Sequence, residues 1–229
     1  MADRASSESD IEGVGSARFD ELDPLIVSSN PQMGWVSDAV AEVLRRLDVR
    51  YLTLNPGASY RGLHDSLVNY LGNKDPKLMV CMHEEHAVGI AQGYGRVTER
   101  PMAVALHANV GLMHATMAIF SAWCSRDPIL LLGATGPGDA EVRRPWTDWI
   151  HTSKDQGALI RHYTKWDDEP RSASAAIESV VRAWQIASTP PYGPTYICLD
   201  AGLQEEALSE SVKFPDLARF KPGSPPAPS

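Results

Sequence analysis

Apolar positions along this chain recur in two alternating periods, and their order predicts an α/β fold. From Trp35 to Leu47 the residues Trp35, Val36, Ala39, Val40, Val43, Leu44 and Leu47 fall at i, i+3, i+4 spacing, which predicts an amphipathic helix. Tyr51-Leu52-Thr53-Leu54 reads as a short buried strand ending on the turn signal Asn55-Pro56-Gly57. The alternation continues with a helix over 63–71, a strand over 77–82, a helix over 86–97, a strand over 102–106 and a helix over 112–124. Ile129-Leu130-Leu131-Leu132-Gly133 is a continuous apolar run, as expected of a central parallel strand covered on both faces. Residues 134–138 read as a loop, and 146–151 and 155–160 as short helical or irregular pieces. An edge strand is expected over 162–166, a helix over 172–187, a sharp turn over 190–194, and a last strand over 195–199 that ends at Asp200. Strand–helix alternation of this kind gives a doubly wound, mainly parallel sheet with helices on both faces.

The ends differ from this pattern. Residues 1–30 are polar and poor in aromatics, so a disordered or loosely docked arm is expected there. From 206 to 229 the composition turns Pro-rich, closing on KPGSPPAPS, which reads as a linker or tail. One domain is therefore expected over 31–205. A chain of 229 residues with 43% hydrophobic residues can build one sizeable core plus tails. A net charge of −8 argues against nucleic acid or an anionic membrane surface as partner. No apolar run approaches the roughly 18 residues of a membrane-spanning helix. The first residues lack the basic and then apolar regions of a signal peptide, so a cytoplasmic location is expected. Cys81, Cys124 and Cys198 are odd in number, spread out and set among apolar residues, which predicts buried, reduced thiols. No G-x-G-x-x-G follows the first strand, which leaves a dinucleotide-binding domain without its phosphate loop.

Candidate chemistry concentrates between Met82 and Asp127. Glu84 follows the apolar run Leu78-Met79-Val80-Cys81, and His107 follows Met102 to Leu106. Ligands of open α/β sheets bind beyond the carboxyl ends of the strands, so the two side chains are expected at one edge. The ordinary reading of Glu84 is a helix-start carboxylate favoured by the macrodipole. That of His107 is a strand-end histidine satisfied by backbone groups. Imidazole, with its near-neutral pKa, also suits proton transfer. No His/Cys/Asp/Glu cluster has metal-ligand spacing, so no metal site is expected within the chain.

HEEHAVGIAQGYGRVTERP resembles the glutamate segment of the thiamine-diphosphate-dependent decarboxylases and carboligases, in their pyrimidine-binding domain. The nearest branch is benzoylformate decarboxylase and its relatives, which share Asn-Pro-Gly after an early strand, the glutamate, and then Leu-His. Here these are Asn55-Pro56-Gly57, Glu84 and Leu106-His107, with positions 84 and 107 lying 23 apart as that family would have them. The resemblance covers about residues 33 to 205. It implies that Glu84 hydrogen-bonds the pyrimidine ring nitrogen and activates thiamine diphosphate, and that His107 faces substrate and moves protons. Such a carboxyl works best in a dry pocket, where desolvation raises its pKa, and Val80, Cys81 and Val88 are expected to form one. Pro56, Gly57 and Gly111 would bring backbone close to the cofactor.

The chain also departs from that family. Ala58 and then Ser59 stand where relatives place a serine against the substrate carboxylate. The turn Ala108 to Gly111, with Asn109, Met113 and His114, replaces a Gly- and Ser-rich segment. His151 and Thr152 replace a Phe-Gln pair that lies near substrate in carboligase relatives. Trp146 and Trp149 are candidates for a substrate wall or a subunit contact, and Arg143-Arg144 reads as a solvated pair. The superfamily holds the diphosphate through a divalent metal on a Gly-Asp-Gly segment, whereas this chain has only Gly138-Asp139-Ala140. The resemblance therefore implies the pyrimidine-binding subunit of a split 2-oxo acid decarboxylase or carboligase, a lyase or transferase. A second subunit would carry the diphosphate-binding domain and most of the Mg2+ ligands, in an α2β2 heterotetramer acting on a small 2-oxo acid. The alternatives are an acetolactate-synthase-like carboligase and a non-catalytic interaction or regulatory module that retains the fold.

Overall fold

The structure, a computed structural model, describes residues 32–208 and 212–223; the arm expected over 1–30 lies outside them. Six strands form one sheet: β1 Tyr51–Leu54, β2 Lys77–Val80, β3 Met102–Leu106, β4 Ile129–Thr135, β5 Asp167–Asp168 and β6 Pro194–Asp200. Their order is β2-β1-β3-β4-β6-β5, and every pairing is parallel. The continuous apolar runs become β3, β4 and β6, buried along their whole length.

Alternate strand residues feed two cores. Leu52, Leu54, Ala103, Ala105, Leu130 and Leu132 face α1 (Val36–Arg46), α2 (Arg61–Asp65) and α5 (Ala173–Ala187). Met102, Val104, Leu106, Ile129 and Leu131 face α3 (Glu84–Thr98) and α4 (Ala108–Ser125). Burying each of the leucine, isoleucine, valine and methionine side chains among these contributes roughly 1.5–3 kcal/mol, so the two helical layers hold the sheet. A short α6 (Ala201–Gln204) closes the last strand.

Several local expectations are corrected. The helix expected over 63–71 starts earlier and winds unevenly: a 3-10 turn at Ala58–Tyr60 leads into α2, which passes into a π-helical turn over Ser66–Tyr70. The edge strand lies at 167–168 rather than 162–166. Tyr163 N–H bonds Ile160 O in a 3-10 turn, and hydrogen bonding to β6 begins where Lys165 N–H meets Pro194 O and Tyr196 N–H meets Trp166 O. The expected turn at 108–111 is already helix, because Gly111 N–H donates to His107 O at 2.6 Å. Cys81 and Cys198 are buried as expected, but Cys124 is exposed on the outer face of α4. Where it is described, the Pro-rich tail is docked: Phe214, Leu217 and Phe220 pack on the first core, and the Arg46 guanidinium sits 3.9 Å over the Phe214 ring. Among the described residues, no helix is long and apolar enough to cross a membrane.

Candidate active site

The carboxyl ends of β1 and β3 and the start of α3 meet at one edge. Glu84 opens α3 behind its N-cap His83, whose Nδ1 accepts the Glu85 N–H at 3.1 Å. A carboxylate in the first turn suits the helix dipole, yet Glu84 is only 4% exposed. Asn55 Nδ2 donates to its Oε1 at 3.1 Å, and His114 Nδ1, from the second turn of α4, stands 3.4 Å from its Oε2. The Tyr60 hydroxyl donates to the Asn55 carbonyl and so steadies the residue that holds Glu84. Gly111 lies between the two candidate groups: a Cβ there would meet Glu84 Oε1 at 3.0 Å and His107 Cβ at 3.3 Å.

Burial opposes ionisation of Glu84, but the Asn55 amide, the residue's own N–H and His114 outweigh it and hold the carboxyl below its ordinary range. This reverses the expected upward shift. The expected dry wall is also incomplete, because Cys81 and Val88 are buried while Val80 is 65% exposed.

His107 is the N-cap of α4 and half-buried. Its Nδ1 lies 2.9 Å from Ser59 Oγ, and the same oxygen accepts the Ala108 N–H at 3.1 Å. Ser59 is buried and engaged with these groups, so it supports the imidazole instead of opening toward a ligand. Ala108 takes a left-handed φ of 44°, a conformation that costs a non-glycine residue about 1–2 kcal/mol. A Cβ at Gly57 would collide with the His107 ring, so this glycine is required by close approach. Burial, and then His151, push the His107 pKa down, with Glu84 opposing.

The His151 ring lies 4.6 Å from that of His107, tilted by 45°. It ends the 3-10 turn Asp148–Ile150, and its Nδ1 is 2.8 Å from Thr147 O. Thr152 is turned back, its hydroxyl donating to Asp148 O. Pro56 and Ala58 are exposed at the rim. Trp146 and Trp149 project into solvent, 76% and 73% exposed. Arg143 and Arg144 are not a free solvated pair: Arg143 bonds the Pro137 and Gly138 carbonyls, and Arg144 is paired with buried Asp148.

The edge therefore gathers Glu84, His107, Gly57, Gly111, Ser59 and His151. Sequence reasoning passed over the side chains of Asn55 and Tyr60, the role of Thr147, and the contact of His114 with Glu84. Asn55 lay inside a motif read for its turn and its backbone approach, not for its side chain. Folding also brings His83, Glu84 and His114 together, their ligand atoms within 4.8 Å of one another, a grouping that chain spacing conceals. At the opposite candidate segment, Gly138 N–H donates to Asp200 Oδ2 and Asp139 Oδ1 accepts the Glu141 N–H. Those groups are thus committed within the chain.

A family model described as the thiamine pyrophosphate enzyme, N-terminal TPP binding domain, matches residues 34–159. Benzoylformate decarboxylase of Pseudomonas aeruginosa is 28% identical over 167 residues, 73% of this chain and 30% of that protein. Acetolactate synthase of Bacillus subtilis is 26% identical over 173 residues, 76% of this chain and 29% of that protein. The chain thus spans about 30% of the length of the curated relatives it matches. The crystal structure of benzoylformate decarboxylase from Polynucleobacter necessarius superposes with a TM-score of 0.68 at 21% identity, covering 80% of this chain and 33% of that one. At that identity it establishes the fold.

Proposed function

From the premise that this chain belongs to the thiamine pyrophosphate enzymes through their N-terminal TPP-binding domain, we propose that it is the pyrimidine-binding subunit of a 2-oxo acid decarboxylase or carboligase. The observation that carries this reading is the buried carboxylate of Glu84, held on one oxygen by Asn55 and faced by a glycine that leaves its approach clear. When bound, thiamine diphosphate supplies an electron sink for the bond beside a substrate carbonyl.

The chain's own residues fit the pyrimidine end of that cofactor. Glu84 would share a proton with the pyrimidine ring nitrogen, and Asn55 keeps its carboxylate oriented. Pro56, Gly57 and Gly111 would offer close backbone approach. His107, oriented by Ser59, would hold or deliver protons at the substrate. Ala58 and His151 would line the substrate side, with Ser59 acting through His107. The diphosphate end is a different matter. Gly138 and Asp139 are internally bonded, and among the described residues the only three-residue metal-competent group is the one at Glu84 itself. Mg2+ and the diphosphate are therefore assigned to a second chain, in an α2β2 assembly. The apolar outer face of α3 and α4, with Ile90, Val97, Met113, Met117, Phe120 and Trp123 exposed, supports such a partner. The same assembly could perform decarboxylation or an acetolactate-synthase-like ligation, and Leu106-His107 favours the former.

Native mass spectrometry of the protein isolated from its own host, with Mg2+ and thiamine diphosphate present, tests this. A mass showing a second, larger chain plus cofactor is the expected result. A cofactor-free homo-oligomer that also fails to bind thiamine diphosphate would overturn the proposal and favour a non-catalytic module.

A further inference from the structure

His107 and His151 reach the same edge from two separate segments, and each ring has its Nδ1 committed in the opposite sense. Ser59 is buried, and its oxygen already accepts the Ala108 N–H. Its hydroxyl hydrogen needs an acceptor, and His107 Nδ1, 2.9 Å away, is the one in reach among the described residues. Neutral His107 therefore carries its hydrogen on Nε2. His151 Nδ1 lies 2.8 Å from Thr147 O, which can only accept, and 3.0 Å from Thr147 Oγ1, which can do either; the nearer carbonyl places the hydrogen on Nδ1 and leaves the Nε2 lone pair. One imidazole presents an N–H and its neighbour, 4.6 Å away between ring centres, presents a base.

We propose that His151 is a positioning residue of the candidate active site: with His107 it forms a donor–acceptor pair, locked in opposite tautomers, that takes up a single proton between its two rings. The pair serves the chemistry proposed above, and to that extent rests on that reading. A second proton would place two cations in ring contact, which like-charge repulsion disfavours. Protonating His107 would also turn its Nδ1 into a donor and leave the Ser59 hydroxyl hydrogen without an acceptor. The charged and titratable groups facing the pair are few. Glu84 lies across from His107 and favours its protonation. Tyr60 stands edge-on at 6.3 Å with its hydroxyl spent on Asn55 O. Asp148 lies beneath His151 and is neutralised by Arg144.

Histidine 15N NMR on the whole chain, without cofactor, tests the pair directly. The expected spectrum at alkaline pH shows His107 protonated on Nε2 and His151 on Nδ1. In His151→Phe the His107 titration midpoint should move upward, because the repelling neighbour is gone. His151→Gln gives the same readout should the phenylalanine disturb folding. Matching tautomers in the two rings, or an unmoved His107 midpoint in both variants, would overturn the proposal. A holoenzyme carrying His151→Gln should show the acid limb of its kcat/KM profile displaced upward, a change that loss of mere packing would not produce. Since the NMR readout needs no cofactor, it stands even if the thiamine diphosphate reading fails, and a working holoenzyme with mismatched tautomers would sink the pair alone.

Discussion

Ser59 Oγ stands 2.9 Å from His107 Nδ1, so a buried hydroxyl in the 3-10 turn that follows β1 orients an imidazole 48 residues further along the chain. The same oxygen satisfies the buried N–H of strained Ala108. Ser59→Ala strands that N–H and should cost about 1–3 kcal/mol. Urea denaturation reads this as a lower midpoint at constant slope. An unchanged midpoint would mean that the hydroxyl holds neither group.

Asn55 lowers the pKa of Glu84 by donating to Oε1. Asn55→Ala keeps the backbone carbonyl that Tyr60 uses and removes only this donor. The Glu84 carboxyl, followed by its 13C shift, should titrate at a higher pH in the variant. A midpoint equal to that of the parent would contradict the role given to Asn55.

Two glycines separate close approach from ordinary helix content. Gly57→Ala drives a methyl into the His107 ring and should cost about 1–3 kcal/mol as the ring is displaced from Ser59. Gly89→Ala, on the exposed face of α3 with no neighbour within 4 Å, should instead gain about 0.5–1 kcal/mol from helix propensity. Thermal or chemical denaturation of the pair checks both signs, and equal effects would refute the contrast.

Stability should fall on acidification in two stages. His107 has a folded pKa below its ordinary 6.5, so the unfolded chain binds the proton first and stability declines as the pH drops through that value. Glu84 and Glu42 have folded pKa values below 4.5, so their contributions are present above it and are lost below it. Denaturant midpoints measured from neutral pH down to about pH 4 should show the first decline near the ordinary histidine range. A flat profile there would contradict the burial of a neutral His107.

Much of this was legible in the sequence because it is periodic. Continuous apolar runs marked β3, β4 and β6, and strand–helix alternation placed Glu84 and His107 at one edge. What escaped was set by contacts distant in sequence. Asn55 and Glu84 are 29 residues apart, and Glu84 and His114 are 30 apart, so no local spacing announces either bond. The direction of the Glu84 pKa shift depended on those bonds, and was misjudged when burial alone was weighed. The start of α4 was missed because Ala108-Asn109-Val110-Gly111 has turn-like composition, while the His107 carbonyl already accepts a helical hydrogen bond. Cys124 was misplaced for a simpler reason: an apolar neighbourhood in sequence became the outer face of α4.

The central claim is that Glu84 activates thiamine diphosphate. The most direct test is the rate at which the C2 hydrogen of the bound cofactor exchanges with deuterium in the assembled enzyme, read by quenched-flow 1H NMR. Glu84→Gln keeps the shape and the Asn55 contact but lacks a carboxylate, and should slow exchange by about 10²–10⁴-fold while cofactor stays bound. Exchange as fast in the variant as in the parent would contradict the claim and leave Glu84 a helix-start carboxylate.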